Sequence, residues 1–143
     1  MTLWYISHII IDEIWNISHN ERLKKLNKFE VLFFEKDDDS CPVEEFLSSL
    51  DKKMRAKLLK EIALLQDVGN ELREPYSKHL DDGIFELRAK QGNNISRVLY
   101  FFIINQQIIL TNGFIKKTQK TPANELALAK KYREIYLNRR EDI

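Results

Sequence analysis

The second half of the chain has the periodicity of β-strands, and this constrains the fold more than any other feature. Apolar and polar residues alternate over 84–90, and two long runs rich in β-branched and aromatic residues follow, over 95–104 and 106–114. Glycine and asparagine separate the first two segments, and the last two are joined at or near Asn105 and Gln106. Strands joined by such short turns pair with their neighbours in antiparallel fashion, so the pattern predicts a three-stranded meander.

The first half is dominated by helical patterns. A short strand over 28–36 precedes two predicted helices over 40–50 and 51–69, and a basic helix over 122–140 ends the chain. A residue that commonly caps helices stands at the start of each of the three helices: Ser40, Asp51 and Thr121. In the second helix the apolar residues repeat at helical spacing: Met54, Leu58, Ile62 and Leu65.

These elements predict an α+β domain, a small antiparallel sheet packed by helices in the order β-α-α-β-β-β-α. With 143 residues, the chain has the size of one domain with its own core. Residues 1–28 precede this domain, which we place at 29–143, as an N-terminal extension of uncertain role. Their apolar residues fit either a helix or a strand, and we favour the helix.

Charge is distributed unevenly along the chain. Up to Gly83 there are 12 basic and 17 acidic residues, and after it 11 basic and 5 acidic. The segment Leu87–Asn124 contains six lysines and arginines and no acidic residue. A surface with this charge favours phosphate-rich partners.

The predicted strand register brings part of this charge together. If the first hairpin loop comprises residues 91–94, Lys90 lies opposite Ile95, and Arg88 lies opposite Arg97 on the same face. A two-residue turn at Asn105 and Gln106 would place Phe114 beside Arg97. Like charges across a ladder are unfavourable unless an anion binds between them. Removing Arg97 is therefore expected to cost no stability.

Other site classes receive little support. Cys41 is the single cysteine, which excludes an internal disulfide and is typical of a reducing compartment, so we expect a cytoplasmic protein. The three histidines are scattered, and we predict no metal site and no small-molecule cofactor. The apolar N-terminus is interrupted by Asp12 and Glu13 and lacks a basic leader, so neither a signal peptide nor a membrane segment is expected.

Several motifs resemble one family. "EPYSKHLDDGIFELRAK", "RVLYFF" and above all "GFIKKTQKTP" followed by "NELALAKKYR" are similar to the HigB-type toxins of the RelE/ParE superfamily. The resemblance runs from Phe29 to Arg140. It implies a ribosome-dependent endoribonuclease that cuts mRNA without a metal ion and is neutralised by a helix-turn-helix antitoxin of the HigA type.

The resemblance also implies roles for individual residues. Arg97 matches the family's strand arginine, which faces the scissile phosphate, and the following lysines match its basic loop. We therefore assign catalysis to Arg97, Lys116, Lys117 and Lys120. The residues expected to bind RNA are Arg88, Lys90, Phe114 and Gln119.

The general acid and base are not assigned by these motifs. Some relatives place a Tyr or His near the last helix, but here no His follows His79, and Tyr132 and Tyr136 lie on or near the apolar stripe of that helix. One lysine whose pKa is lowered by crowding from its positively charged neighbours would serve as general acid or base instead. Two other functions remain open: a ParE-like gyrase poison and a non-catalytic nucleic-acid-binding module.

Overall fold

The computed structural model describes residues 29–116 and 120–141, so the predicted N-terminal extension lies outside the described residues. The elements of the described chain, apart from a 3₁₀ turn at Gly69–Glu71, are β1 (Glu30–Phe33), α1 (Pro42–Ser49), α2 (Lys52–Val68), β2 (Ser77–Asp81), β3 (Ile84–Gln91), β4 (Asn94–Ile103), β5 (Gln107–Lys116) and α3 (Ala123–Glu141). This confirms the α+β class. Within these ranges, no helix has the length and apolar character needed to cross a membrane.

The strands form one sheet in the order β1-β5-β4-β3-β2, covered by helices on both faces. Helices α1 and α2 pack on one face, the α1/α2 face, where Leu58 and Ile62 belong to the same buried cluster as Leu87 and Val98. Helix α3 covers the opposite face, the α3 face, with a smaller buried cluster. Because alternate residues of a strand point to opposite faces, the strand residues of the two clusters alternate along β4.

One predicted helix cap is confirmed and another is wrong. The Asp51 carboxylate accepts a hydrogen bond from the backbone N–H of Met54 at 2.8 Å, and the whole predicted stripe of α2 is buried. The N-cap of α1 is Cys41 rather than Ser40. The Ser40 hydroxyl donates instead to Asp38 at 2.6 Å, a local turn that competes with capping.

Strand β2 was not predicted. It pairs with β3 through a hairpin in which Asp82 and Gly83 both have positive φ, of 51° and 78°. Asp-Gly is a strong signal for this type of hairpin turn. The strand itself contains one large apolar residue, Leu80, so its sequence shows too little alternation to identify a strand.

The sheet is mixed rather than wholly antiparallel. β1 pairs in parallel with β5, while the other neighbouring strands pair antiparallel. The meander predicted from the short turns is confirmed for β3, β4 and β5. A tight turn requires antiparallel pairing, but β1 is connected to the next strand through two helices, so no turn fixes its direction.

The connection between β4 and β5 is one residue longer than predicted. Ile103 pairs with Gln107, so the loop comprises residues 104–106 rather than Asn105 and Gln106 alone. Both of these turn residues have positive φ, of 79° and 63°. By itself, one extra loop residue would shift every later pair of the hairpin and turn the side chains of β5 to the other face.

A β-bulge in β5 reverses that shift. The pairing with β4 passes from Leu110 directly to Asn112, which leaves Thr111 as the extra residue. Phe114 consequently lies opposite Arg97, as predicted, although the loop that was expected to place it there is different.

Candidate functional site

Three successive rows of side chains cross β3, β4 and β5 on the α3 face. The strand pairing defines the rows as Glu86, Leu99 and Asn112; Arg88, Arg97 and Phe114; and Lys90, Ile95 and Lys116. The predicted pairs of Arg88 with Arg97 and of Lys90 with Ile95 are therefore confirmed. We call Arg88, Lys90, Arg97 and Lys116 the cationic site. The bulge at Thr111 places Lys116 on this face, because without it the side chains beyond the bulge would point to the α1/α2 face.

Glu86 lies at the centre of the site and was not predicted to have a role. Its side chain is 0% exposed, and its Oε1 accepts hydrogen bonds from Arg97 Nη1 and, at 3.0 Å, from Arg88 Nε. Its Oε2 accepts one from the Thr121 hydroxyl. Thr121 was predicted to cap α3, but the helix begins at Ala123 and the hydroxyl binds this carboxylate instead. The loop before α3 is thereby tied to the sheet.

These contacts correct the expectation that removing Arg97 costs no stability, because the anion between the two arginines is a side chain of the protein itself. Burial alone raises the pKa of Glu86, but hydrogen bonds from Thr121, Arg88 and Arg97 outweigh that effect and lower it. The carboxylate is therefore ionised and shared by Arg88 and Arg97, so removal of Arg97 leaves a buried anion with fewer partners. Such a change is destabilising.

Lys116 is the most strongly perturbed cation of the site. Only 3% of the residue is exposed, and its Nζ lies 3.5 Å from the Thr121 hydroxyl. Burial lowers the pKa of Lys116 to about 8, and the charge of Arg97 acts in the same direction. The sequence led us to expect a lowered lysine pKa from crowding by like charges; here burial is the larger cause and crowding the second.

The predicted site residues differ in exposure. Arg97 is buried, with 3% exposed, whereas 23% of the Arg88 side chain is exposed and Lys90 and Lys120 lie on the surface. Phe114 is half-buried and packs against the cluster under α3. Two further predicted residues, Lys117 and Gln119, lie outside the described residues.

Two tyrosines near the sheet lie outside the cationic site. Tyr100 is buried on the α1/α2 face, where its hydroxyl is hydrogen-bonded to Ser77 and burial raises its pKa to about 12. Tyr132 of α3 stacks on Phe34, with ring centroids 4.6 Å apart. Lys116 is therefore the candidate for proton transfer at the site. In the part of the chain that the structure describes, no three His, Cys, Asp or Glu side chains form a group able to hold a metal ion.

One family model matches the chain. It is described as phage derived protein Gp49-like (DUF891), and the match covers residues 45–134, which is more than half of the chain. That span contains the whole cationic site together with Glu86 and Thr121. No curated protein matches the chain.

Proposed function

Because the chain belongs to the Gp49-like family of phage-derived proteins, a RelE/HigB-like toxin family of toxin–antitoxin systems, we propose that it is a HigB-type toxin that cleaves mRNA on the ribosome. One observation carries the proposal of RNA cleavage: Lys116 combines a buried ammonium group, two neighbouring arginines and a pKa of about 8. A helix-turn-helix antitoxin of the HigA type is the proposed inhibitor.

The proposed reaction uses protein side chains alone. The 2′-oxygen of the RNA attacks the adjacent phosphorus and releases its proton to solvent, and the bond from phosphorus to the 5′-oxygen breaks. The products are a 2′,3′-cyclic phosphate and a 5′-hydroxyl. Negative charge grows on the phosphoryl oxygens and on the leaving oxygen, so preorganised cations and a proton donor both lower the barrier.

We assign the proton donor to Lys116. With a pKa of about 8, roughly nine in ten molecules carry the proton at pH 7. The lowered pKa also makes this ammonium group a stronger acid than an ordinary lysine. To reach the leaving oxygen, Lys116 exchanges its contact with the Thr121 hydroxyl for one with the RNA.

The two arginines receive different roles because their exposure differs. Arg88 is partly exposed and presents a planar guanidinium group, which matches phosphate oxygens, so we place Arg88 at the scissile phosphate. Arg97 lies beneath it against Glu86 and contributes its charge to the low pKa of Lys116. In this proposal Arg97, originally expected at the phosphate, is a positioning residue.

The remaining predicted residues would hold the RNA strand. Lys90, in the cationic site, and Lys120 are exposed, and Lys117 and Gln119 precede Lys120 closely in the sequence. Each lysine contact with a phosphate releases condensed counterions, which adds affinity and salt dependence without sequence preference. Phe114 remains a candidate for stacking on a base through the exposed part of its ring.

Programmed ribosomes provide the test. We expect wild-type protein to cut mRNA in the ribosomal A site and to leave a 2′,3′-cyclic phosphate. Arg88→Ala should slow the chemical step by roughly 10²- to 10³-fold, as does the loss of one preorganised donor. Lys53→Ala is the matched control, because Lys53 is an exposed lysine of α2 outside the cationic site.

The same preparation separates the rival functions. Absence of cleavage by folded wild-type protein would overturn the proposed function. Binding to RNA without any cleavage would identify a nucleic-acid-binding module, and inhibition of DNA gyrase would identify a gyrase poison. Neither outcome is expected, because a site directed at a protein target, or one that only binds nucleic acid, has no need for a proton donor beside a phosphate-binding arginine.

A further inference from the structure

A concave surface adjoins the cationic site at the edge of β3. β2 begins at Ser77, opposite Leu87, so the end of β3 extends beyond it. There a pocket of about 520 Å³ opens between β3 and α2. Its principal side chains are Lys57, Lys60, Glu61, Tyr76, Arg88 and Lys90.

The pocket carries excess positive charge. The Lys57 ammonium group donates to the backbone carbonyl of Lys90 at 2.7 Å, a contact that holds it in place without neutralising it. Within residues 29–116 and 120–141, Lys57, Lys60 and Lys90 form no salt bridge. The arrangement favours an anionic ligand that spans the distance from α2 to the edge of the sheet.

Glu61 requires a hydrogen-bond donor from the ligand, which a phosphate alone does not supply. Its Oε2 atom is buried and has no hydrogen-bond partner in the described chain. Burial raises the pKa of Glu61 despite the nearby charges of Lys60 and Lys57. A buried carboxylate oxygen without a donor is costly, so a ligand that brings an N–H group to Glu61 gains free energy.

Tyr76 provides an aromatic surface on the same pocket. Its side chain is 44% exposed, an unusual exposure for a large aromatic residue, and its backbone carbonyl accepts a hydrogen bond from the Arg88 N–H at 2.8 Å. The residue is thus anchored at the edge of β3 with an accessible ring. Exposed aromatic rings beside basic residues are typical of single-stranded nucleic-acid sites.

We propose that this pocket binds one nucleotide of single-stranded RNA, with the base stacked on Tyr76, an amino group of the base donated to Glu61, and the phosphate held by Lys57 and Lys60. Adenine, cytosine and guanine carry such an amino group. Uracil lacks it, and its one donor on that edge, N3–H, is flanked by two carbonyl oxygens that a carboxylate repels, so the pocket discriminates against uracil. The choice of RNA as the polymer rests on the proposed function. Since Arg88, Lys90 and Arg97 line the pocket and also belong to the cationic site, this nucleotide lies next to the cleaved bond.

Binding is measured separately from cleavage by fluorescence anisotropy with labelled 2′-O-methyl tetramers of adenine, cytosine or uracil. These probes lack the 2′-hydroxyl, so they bind without being cut. Wild-type protein should bind the adenine and cytosine tetramers more tightly than the uracil tetramer. Tyr76→Ala should weaken binding by about 5- to 150-fold, the range expected for one stacked base, and Tyr76→Phe should retain affinity.

The lysines are tested by salt dependence. Replacing Lys57 and Lys60 together by alanine should reduce the slope of log affinity against log salt by about 0.7, because the one phosphate that both lysines hold is no longer neutralised. Lys53→Ala, on the same helix but outside the pocket, should leave the slope unchanged. An equal slope in the double variant and the wild type would overturn the phosphate assignment.

Glu61→Gln gives the sharpest readout. Glutamine removes the buried charge and adds an N–H donor that suits uracil, so the preference against uracil should disappear. The unfolding midpoint should stay constant or rise, which a merely structural role for Glu61 would not predict. Equal binding of the three tetramers by wild-type protein, or full affinity in Tyr76→Ala, would refute the pocket.

The two proposals fail in distinguishable ways. If ribosomal mRNA is cleaved but the tetramers bind without preference, the pocket assignment is wrong and the ribonuclease stands. If the tetramers bind as expected and mRNA is not cleaved, the pocket stands and the proposed reaction is wrong.

Discussion

Arg97→Ala tests the central feature of the site, the buried pair of Arg97 and Glu86. The charge pattern of the sequence suggested that this change would cost no stability, since a like charge is removed from beside Arg88. The structure reverses that expectation, because Glu86 is fully buried and receives one of its three hydrogen bonds from Arg97. We therefore expect Arg97→Ala to be clearly destabilising.

The size of the expected destabilisation depends on the hydrogen bonds that the Glu86 carboxylate keeps in Arg97→Ala. Breaking a buried ion pair by removing one partner typically costs about 3–5 kcal/mol. Arg88 and Thr121 still donate to Glu86, so we expect the lower end, about 3 kcal/mol in the free energy of unfolding. Replacing Glu86 by Gln in the same chain removes the buried charge and should recover part of this loss.

Urea unfolding of the wild type, the two single variants and the double variant forms a double-mutant cycle. We expect the two changes to be coupled by about 1–2 kcal/mol, within the usual range for residues in contact. Stability of Arg97→Ala equal to wild type, or a coupling free energy below about 0.5 kcal/mol, would show that the pair does not stabilise the fold. Activity is then compared only at temperatures where each variant is folded.

Four further predictions concern Lys116, the N-terminal segment and Gly113. Because Lys116 has a pKa of about 8, cleavage should fall as the pH rises through 8, and Arg97→Met should move this fall to higher pH by removing a nearby positive charge. Between pH 8 and about 10.4, Lys116 binds fewer protons in the folded state than in the unfolded state. The free energy of unfolding should therefore rise over this pH range in denaturation experiments. Lys116→Met should abolish the rise. Deletion of residues 1–28 should leave a cooperatively unfolding, toxic protein; a broad transition in calorimetry would contradict this. Gly113→Ala should lower the melting temperature, because its Cβ would lie 2.3 Å from the Phe46 ring, and Phe46→Leu should partly restore it.

The parts of the fold that the sequence predicts correctly are those in which one periodicity persists over many residues. Helix α2 keeps its apolar stripe for about three turns, and β4 is apolar or aromatic from Val98 to its end at Ile103. β2 is missed because most of its residues are exposed at the edge of the sheet. Its hairpin is nevertheless encoded in Asp82 and Gly83, so turn chemistry carries information there that hydrophobic periodicity does not.

The strand register of the site can be predicted from the sequence, but the burial of its side chains cannot. The pairing of Arg88 with Arg97 follows from a short hairpin, which depends only on neighbouring residues. The burial of Glu86 depends on the approach of Thr121 and α3, which lie more than thirty residues away in the chain. An alternating strand pattern marks Glu86 as polar, and polar positions are normally assigned to solvent, so no local signal identifies it as the anion at the centre of the site.

The position of Glu86 explains how Leu87–Asn124, a segment with six cations and no acid, can fold with two arginines paired across β3 and β4. The carboxylate stands immediately before that segment and binds Arg97 and Arg88 from within. One buried anion offsets part of the repulsion between the two guanidinium groups. Its charge also favours protonated Lys116, but burial and the charge of Arg97 lower the pKa of Lys116 to about 8 all the same. If RNA binds there as proposed, each bound phosphate would relieve repulsion that is already present in the fold.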